Sequence, residues 1–133
     1  MTDESRLVWG TMRKYVWPYG RWKRIENAVE KGCPDINYTL TVPPGRQGWM
    51  ELKIFSRLGI PPPHFTREQI MWGEEEVRHG GTWHLFGRCG TCWLLYDVVE
   101  ARKLFERKES CPLLKVSGRF PLRELMWHLQ GQQ

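Results

Sequence analysis

The chain has 133 residues, which is enough for a single domain with a substantial hydrophobic core. Its hydrophobic content of 41% and its eight tryptophans exclude an intrinsically disordered chain. A formal net charge of +5 is compatible with a polyanionic partner, but many proteins without such a partner carry a charge of this size.

Membrane insertion and secretion find no support in the sequence. No apolar run approaches the roughly 18 residues that a membrane-spanning helix needs. The polar start of the chain, Thr2–Ser5, lacks the pattern of a signal peptide. We therefore expect an intracellular, cytoplasmic protein without a membrane partner. Neither a linker nor a repeat divides the sequence, so we expect one domain over residues 1–133.

The first predicted element is a helix over residues 4–17, which Pro18 ends. Basic and aromatic residues alternate from its second half onward. The basic residues are Arg13, Lys14, Arg21, Lys23 and Arg24, and the aromatic ones are Tyr15, Trp17, Tyr19 and Trp22. Basic side chains contact phosphates and aromatic rings stack on bases, so this segment is a candidate DNA-binding surface. The alternative is a solvated helix face over a tryptophan-rich core.

A β-hairpin is predicted next. Ile36–Val42 and Trp49–Phe55 are rich in β-branched and aromatic residues and are predicted strands, joined by a hairpin loop at 43–48. The preceding residues 24–31 fit either a strand or a short helical piece. Residues 56–65 contain three consecutive prolines and are expected to form an extended loop.

The second half of the chain is predicted to contain a helix, another β-hairpin and two further helices. Their ranges are 66–79, then 82–88 with 91–98, then 99–108, and finally the residues from Pro121 to about Gln130. This order predicts an α/β or α+β arrangement of helices around one mixed sheet.

Two of the four cysteines, Cys89 and Cys92, have the CxxC spacing of a zinc knuckle or a redox pair. A zinc site needs a second pair of ligands, and Cys33 and Cys111 stand alone in the sequence. The intervening Gly90-Thr91 is typical of a hairpin tip. We expect reduced structural cysteines, with zinc or redox chemistry as the alternative.

The chemistry-bearing residues lie on the first hairpin. Side chains alternate along a strand, so Glu51 and Lys53 share one face while Met50 and Leu52 share the other. If the two strands pair, Asp35 comes near Glu51 and Lys53. Two carboxylates suit a hard cation such as Mg²⁺, and a lysine beside them can orient water or stabilise charge on a phosphoryl group. The pattern indicates phosphodiester hydrolysis.

Each of these residues also has a structural explanation. Asp35 can cap a turn, and Glu51 with Lys53 can form a solvent-facing charge pair on a strand. Gln69 can complete a capping box with Thr66. The four histidines have no mutual spacing that suggests a metal site or a catalytic base, so we expect them to be structural or exposed.

Pro34-Asp35, fifteen intervening residues and then Glu51-Leu52-Lys53 resemble the bipartite motif of the PD-(D/E)xK nuclease superfamily. Flanking sequences sharpen the resemblance: Arg24-Ile25-Glu26-Asn27, Gly32-x-Pro34-Asp35, Gly48-Trp49-Met50-Glu51-Leu52-Lys53 and Thr66-x-x-Gln69. Together they are similar to a VRR-NUC domain in the small stand-alone form typical of phages and bacteria. The resemblance covers a motif core of about residues 20–98 and leaves about 99–133 as a helical extension.

The resemblance implies an α/β fold with a restriction-endonuclease-like mixed sheet flanked by helices. It also implies roles for individual residues. Asp35, Glu51 and the backbone carbonyl of Leu52 would bind Mg²⁺ or Mn²⁺, and Glu26 would be an additional acidic ligand, direct or through water. Lys53 would position or activate the attacking water. Gln69 would support the lysine or the scissile phosphate.

Stand-alone members of the family are associated with cutting branched DNA such as Holliday junctions, often as homodimers. We therefore expect a metal-dependent DNA endonuclease. The alternatives are a restriction-like or DNA-end-processing nuclease and, in another class, a catalytically silent DNA-binding module. Two converging carboxylates argue against the silent module, because they repel DNA unless a cation lies between. The last helix is apolar on more than one face, so we expect it to pack on its own domain and still offer a stripe to a second copy.

Overall fold

A computed structural model describes residues 2–26, 30–42 and 45–131 of the chain. The helices are α1 (Asp3–Val16), α2 (Arg67–Arg78), α3 (Val98–Phe105) and α4 (Leu122–Leu129), and a short 3₁₀ helix, Trp17–Tyr19, follows α1. The strands are β1 (Gly20–Arg24), β2 (Ile36–Leu40), β3 (Gln47–Ile54), β4 (Trp83–Cys89), β5 (Cys92–Tyr96) and β6 (Leu114–Ser117).

The six strands form one mixed sheet in the order β1-β2-β3-β4-β5-β6. Both predicted hairpins are confirmed, since β2 pairs antiparallel with β3 and β4 pairs antiparallel with β5. The central pair, β3 and β4, is parallel. Parallel neighbours need a crossover connection, and the proline-rich loop with α2 supplies it here.

Two hydrophobic clusters cover the two faces of the sheet. On one face, α1 and α4 share a cluster with apolar residues of the sheet, including Met50 and Leu52 of β3. On the other face, α2 and α3 pack over β4 and β5 around Leu85 and Tyr96. Helices on both faces cover the middle of the central strands, which places Glu51 and Lys53 of β3 inside the molecule.

Two strands at the sheet edges were not predicted. β1 ends at Arg24, and the remainder of the undecided stretch 24–31 includes residues 27–29, which lie outside the described residues. Within the expected helical extension, the four residues of β6 pair with β5. A short edge strand carries too few residues for a readable alternation, and only its pairing with β5 defines it. Pro43 and Pro44 of the predicted hairpin loop are also outside the described residues.

α4 turns almost all of its apolar residues inward. Leu125, Met126 and Leu129 are buried, Leu122 packs against the same cluster, and Trp127 is 43% exposed. The expected stripe on a second face is therefore reduced to one aromatic ring. In the part of the chain that the structure describes, the helices are too short and too polar to cross a bilayer.

Candidate active site

The site lies at the start of β2, where the neighbouring strand β3 continues beyond its last residue paired with β2. Ile36 of β2 pairs with Met50 of β3, and continuing that register would place Pro34 opposite Leu52. Proline has no N–H to offer the Leu52 carbonyl. The Leu52 N–H, on the same edge of the strand, is bound by the Asp35 side chain, whose Oδ2 accepts a hydrogen bond of 2.8 Å from it. Asp35 is thus fixed to the strand that carries the other motif residues, and it is not a local turn cap.

Glu51 and Lys53 lie on the same face of β3 and are both only 2% exposed. The solvent-facing charge pair is therefore wrong as an explanation of these residues. The two side chains face each other, with Lys53 Nζ 3.9 Å from Glu51 Oε2. Met50 and Leu52 point into the opposite cluster, as the alternation predicts.

The electrostatics of Glu51 are unfavourable for a carboxylate on its own. Burial raises the pKa of Glu51 well above its usual value, the charge of Asp35 and a hydrogen bond with it raise it further, and Lys53 only partly opposes them. Moreover, Glu51 Oε1 is buried and accepts no hydrogen bond from the described residues. Two close carboxylates with an unpartnered oxygen are suited to a bound cation.

The donor set fits magnesium or manganese. Mg²⁺ is usually held by one or two carboxylates and leaves other positions to water and substrate phosphate. Asp35 and Glu51 supply two carboxylates, and the Leu52 carbonyl lies beside Asp35. Among residues 2–26, 30–42 and 45–131, no three histidine, cysteine, aspartate or glutamate side chains converge in a way that could hold a metal.

Glu26 lies among arginines. Its carboxylate is 3.1 Å from Arg24 and 3.9 Å from Arg6, and its side chain is 38% exposed. These ion pairs hold it at the rim of the sheet. The predicted role of Glu26 as a further ligand stays a prediction.

Gln69 combines the two roles that its sequence context offers. Its side chain closes a capping box with Thr66 at the start of α2. Its amide also lies 3.4 Å from Glu51 Oε2, a long hydrogen bond. Gly32 allows this approach, because its φ is +81° and a side chain there would collide with the Glu68 carbonyl at the start of α2.

The proline-rich loop holds Lys53. The Lys53 ammonium donates a hydrogen bond of 2.8 Å to the backbone carbonyl of His64, a residue with φ of 65°. The imidazole of His64 points away, 3.8 Å from Glu4 and 76% exposed. Sequence reasoning did not find this contact, because any residue can supply a backbone carbonyl.

Ser5 was also missed. It lies in the first turn of α1, is 1% exposed, and places its hydroxyl oxygen 3.0 Å from Asp35 Oδ2 and 3.1 Å from the Leu52 carbonyl. The only signal in the sequence is a serine on the otherwise apolar buried face of α1, formed by Val8, Trp9, Met12 and Val16.

Cys33 lies close enough to the site to respond to its charges. Its thiol is half-buried, and burial raises its pKa, followed by the charges of Glu30, Glu51 and Asp35. This environment keeps the thiol protonated and therefore a poor metal ligand.

The predicted DNA-binding residues are exposed, but they lie at different distances from the site. Arg24 pairs with Ile36, next to Asp35, so the end of β1 lies beside the site. Arg13 is eight residues beyond Ser5 along α1, which is about 12 Å. Of the interleaved aromatics, Trp17 is 68% exposed while Trp22 is buried in the core. The aromatic-basic segment is therefore partly surface and partly core.

The other cysteines and histidines do not form a site. Cys89 and Cys92 face each other across the β4–β5 hairpin as free thiols. His84 is buried on β4, and His64 and His79 are exposed. These positions agree with structural or exposed roles.

Comparison with known proteins gives a match in structure. No family model and no curated protein matches the sequence. Among solved structures, the fold is similar to that of Hjc, a Holliday junction resolvase from the archaeal hyperthermophile Archaeoglobus fulgidus. The TM-score is 0.56 at 17% identity, over 84% of this chain and 87% of that one. The chain has an α/β fold, a restriction-endonuclease-like six-stranded mixed sheet flanked by helices.

Proposed function

We propose that this chain is a Mg²⁺- or Mn²⁺-dependent DNA endonuclease that cuts branched DNA such as Holliday junctions. The observation that carries the proposal is the buried pair Asp35 and Glu51, with its unpartnered carboxylate oxygen, beside Lys53. Such a pair costs folding free energy without a cation, and it lies on a fold similar to that of a Holliday junction resolvase.

Asp35, Glu51 and the Leu52 carbonyl would hold the cation. When bound, the cation neutralises charge on the scissile phosphate and makes water more acidic. Lys53, fixed by the His64 carbonyl, keeps its ammonium near Glu51, where it can orient the attacking water or stabilise developing charge. Gln69 supports the position of Glu51, and Glu26 is an additional ligand, either directly or through water.

Membership in the VRR-NUC family is part of the proposal. Its support is local: Gly32, three residues before Asp35, packs closely against the start of α2, and Gln69 at that start contacts Glu51. An intracellular location and a phage origin belong to the same proposal.

DNA would bind along the exposed basic residues. Arg24 and Lys23 lie at the end of β1 nearest the site, while Arg21, Arg13 and Lys14 extend the basic surface away from it. Phosphate contacts spread over many residues supply affinity, so removal of one catalytic acid is expected to leave binding largely intact.

A homodimer completes the proposal. Resolving a four-way junction needs two symmetric cuts, and a two-fold dimer carries two identical sites. Since α4 buries most of its apolar residues, the contact is proposed to involve the remaining exposed aromatics, of which Trp127 and Tyr19 border the same groove.

The test is a cleavage assay on a four-way junction, a flap, single-stranded DNA and linear duplex, with Mg²⁺, Mn²⁺ or EDTA. Cleavage of the junction is expected to need the cation and to be lost in Asp35→Asn, Glu51→Gln and Lys53→Ala. The exposed Glu109→Gln is the matched control and should keep full activity. Cleavage that survives Asp35→Asn would refute the site, and equal rates on junction and linear duplex would refute the preference for branched DNA.

A further inference from the structure

Ser5 is a polar residue at a position where an apolar one would be expected. The buried residues of α1 recur at helical spacing, and all of them except Ser5 are hydrophobic. A buried hydroxyl is costly unless it is hydrogen-bonded, so its contacts indicate why serine is tolerated here.

The contacts of Ser5 connect α1 to two groups of the expected cation site, the Asp35 carboxylate and the Leu52 carbonyl. Its Oγ lies 3.0 Å from Asp35 Oδ2 and 3.1 Å from the Leu52 carbonyl oxygen. The third neighbour is Thr2 Oγ1, also at 3.0 Å. Thr2 can donate to Ser5, and Ser5 then donates to Asp35 or Leu52.

One hydroxyl proton cannot serve both of these acceptors at full strength. Asp35 Oδ2 already accepts the Leu52 N–H at 2.8 Å, so a bond from Ser5 to the same oxygen would hold the carboxylate by Oδ2 alone. The other oxygen, Oδ1, and the Leu52 carbonyl would then both be left for a ligand other than Ser5.

We propose that Ser5 is a positioning residue of the cation site, which orients the Asp35 carboxylate and the Leu52 carbonyl for a divalent cation. The inference rests on the proposed function, because it assigns Ser5 to the same site. Ser5 acts through Asp35 and Leu52 and does not itself hold the cation. Residues that orient metal ligands commonly change metal affinity by about 10- to 100-fold when they are removed.

The experiment measures Mn²⁺ binding to the DNA-free protein by isothermal titration calorimetry. Ser5→Ala should raise the Mn²⁺ dissociation constant by about 10-fold or more. Thr2→Ala is the matched control, because it removes the N-cap of α1, and its contact with Ser5, but leaves the Ser5 hydroxyl in place. It should lower the melting temperature in EDTA while changing Mn²⁺ affinity much less than Ser5→Ala does.

Ser5→Cys keeps the volume of the side chain close to that of serine with a weaker donor, and should bind Mn²⁺ with intermediate affinity. This variant also keeps the test valid if alanine impairs folding. Wild-type Mn²⁺ affinity in a folded Ser5→Ala would overturn the inference.

The inference and the proposed function fail in different ways. A wild-type protein that cleaves junctions, with a Ser5→Ala variant that binds Mn²⁺ equally well, refutes only the role of Ser5. A wild-type protein that binds Mn²⁺ and loses affinity in Ser5→Ala, but cuts no DNA, supports the role of Ser5 and refutes the nuclease.

Discussion

The two faces of β3 and β4 each bury an ionisable group, and the two groups differ in their surroundings. On one face, Glu51 lies among Asp35, Lys53 and Gln69. On the opposite face, His84 lies beside Met50, and His128 is a titratable neighbour that adds to the effect of burial. Burial favours the neutral form of both groups. It raises the pKa of Glu51 and lowers the pKa of His84 to about 4.

Both groups also have a buried atom that finds no hydrogen-bond partner among the described residues, Glu51 Oε1 and His84 Nδ1. A perturbed pKa and an orphaned atom therefore do not mark a functional site on their own. The distinguishing feature of Glu51 is a second carboxylate within hydrogen-bonding reach and a backbone carbonyl beside it, which together form a donor set.

The largest effect is expected from Glu51→Gln. Cleavage should fall by about 10²–10³-fold or more, a loss of the size seen when one charge-stabilising group is removed from an active site. In EDTA the same variant should melt at a higher temperature than wild type, because it removes a buried carboxylate next to Asp35. Mn²⁺ should raise the melting temperature of wild type and leave that of the variant almost unchanged. A lower melting temperature of the variant in EDTA would contradict this account of the site.

On the His84 face we expect a dependence on pH. In the unfolded chain His84 titrates near 6.5 and in the folded protein near 4, so only the unfolded state gains a proton between these values. The contribution of His84 to stability is complete above pH 6.5 and is lost as pH falls to about 4, by roughly 3 kcal/mol in total.

Urea unfolding between pH 7 and pH 4.5 measures this loss. In His84→Leu, the free energy of unfolding should depend less on pH than in wild type. His79→Leu, at an exposed position, is the control and should keep the wild-type dependence. An unchanged slope in His84→Leu would mean that other groups dominate the acid sensitivity.

Gly87→Ala should disturb the structure that both faces share. Gly87 is paired with Lys53 across the parallel strands, and a Cβ there would collide with the Lys53 carbonyl. We expect a loss of about 1–3 kcal/mol in unfolding free energy, with slower cleavage because Lys53 is displaced. Gly10→Ala in α1 is the matched control, since it has free space and should stabilise the helix by up to about 1 kcal/mol.

The smallest effect is expected from Gln69→Ala. It should cost about 1 kcal/mol by opening the capping box of α2. Thr66→Ala opens the same box without touching Glu51, so the two variants should lose similar stability. Only Gln69→Ala should also reduce cleavage, by less than about 10-fold, and equal activities would leave Gln69 with the capping role alone.

The sequence predicts the motif hairpin well because its information is local. Alternation along β3 separates Glu51 and Lys53 from Met50 and Leu52, and the structure follows that pattern. Alternation cannot tell whether the polar face is exposed, however. Only the crossover through the proline-rich loop and α2 buries Glu51 and Lys53.

The remaining parts of the site depend on contacts between distant segments. Ser5 is 30 residues from Asp35 and 47 from Leu52, and no periodicity connects a serine in a helix to a strand that far away. The hydrogen bond from Lys53 to the His64 carbonyl depends on the course of the backbone, and any residue type at position 64 could supply that carbonyl. The short strand β6 is defined by its neighbour β5, and pattern reasoning therefore assigned its region to helices.

The cap of α1 by Thr2, directly beside Ser5, has a practical consequence for preparing the protein. Thr2 lies within one helical turn of Ser5, the residue that contacts Asp35. A purification tag of several histidines fused ahead of Thr2 would bring imidazoles near the proposed cation site and would compete for the metal. Affinity tags are therefore better placed at the opposite terminus, and metal titrations are better made after any leading tag has been cleaved.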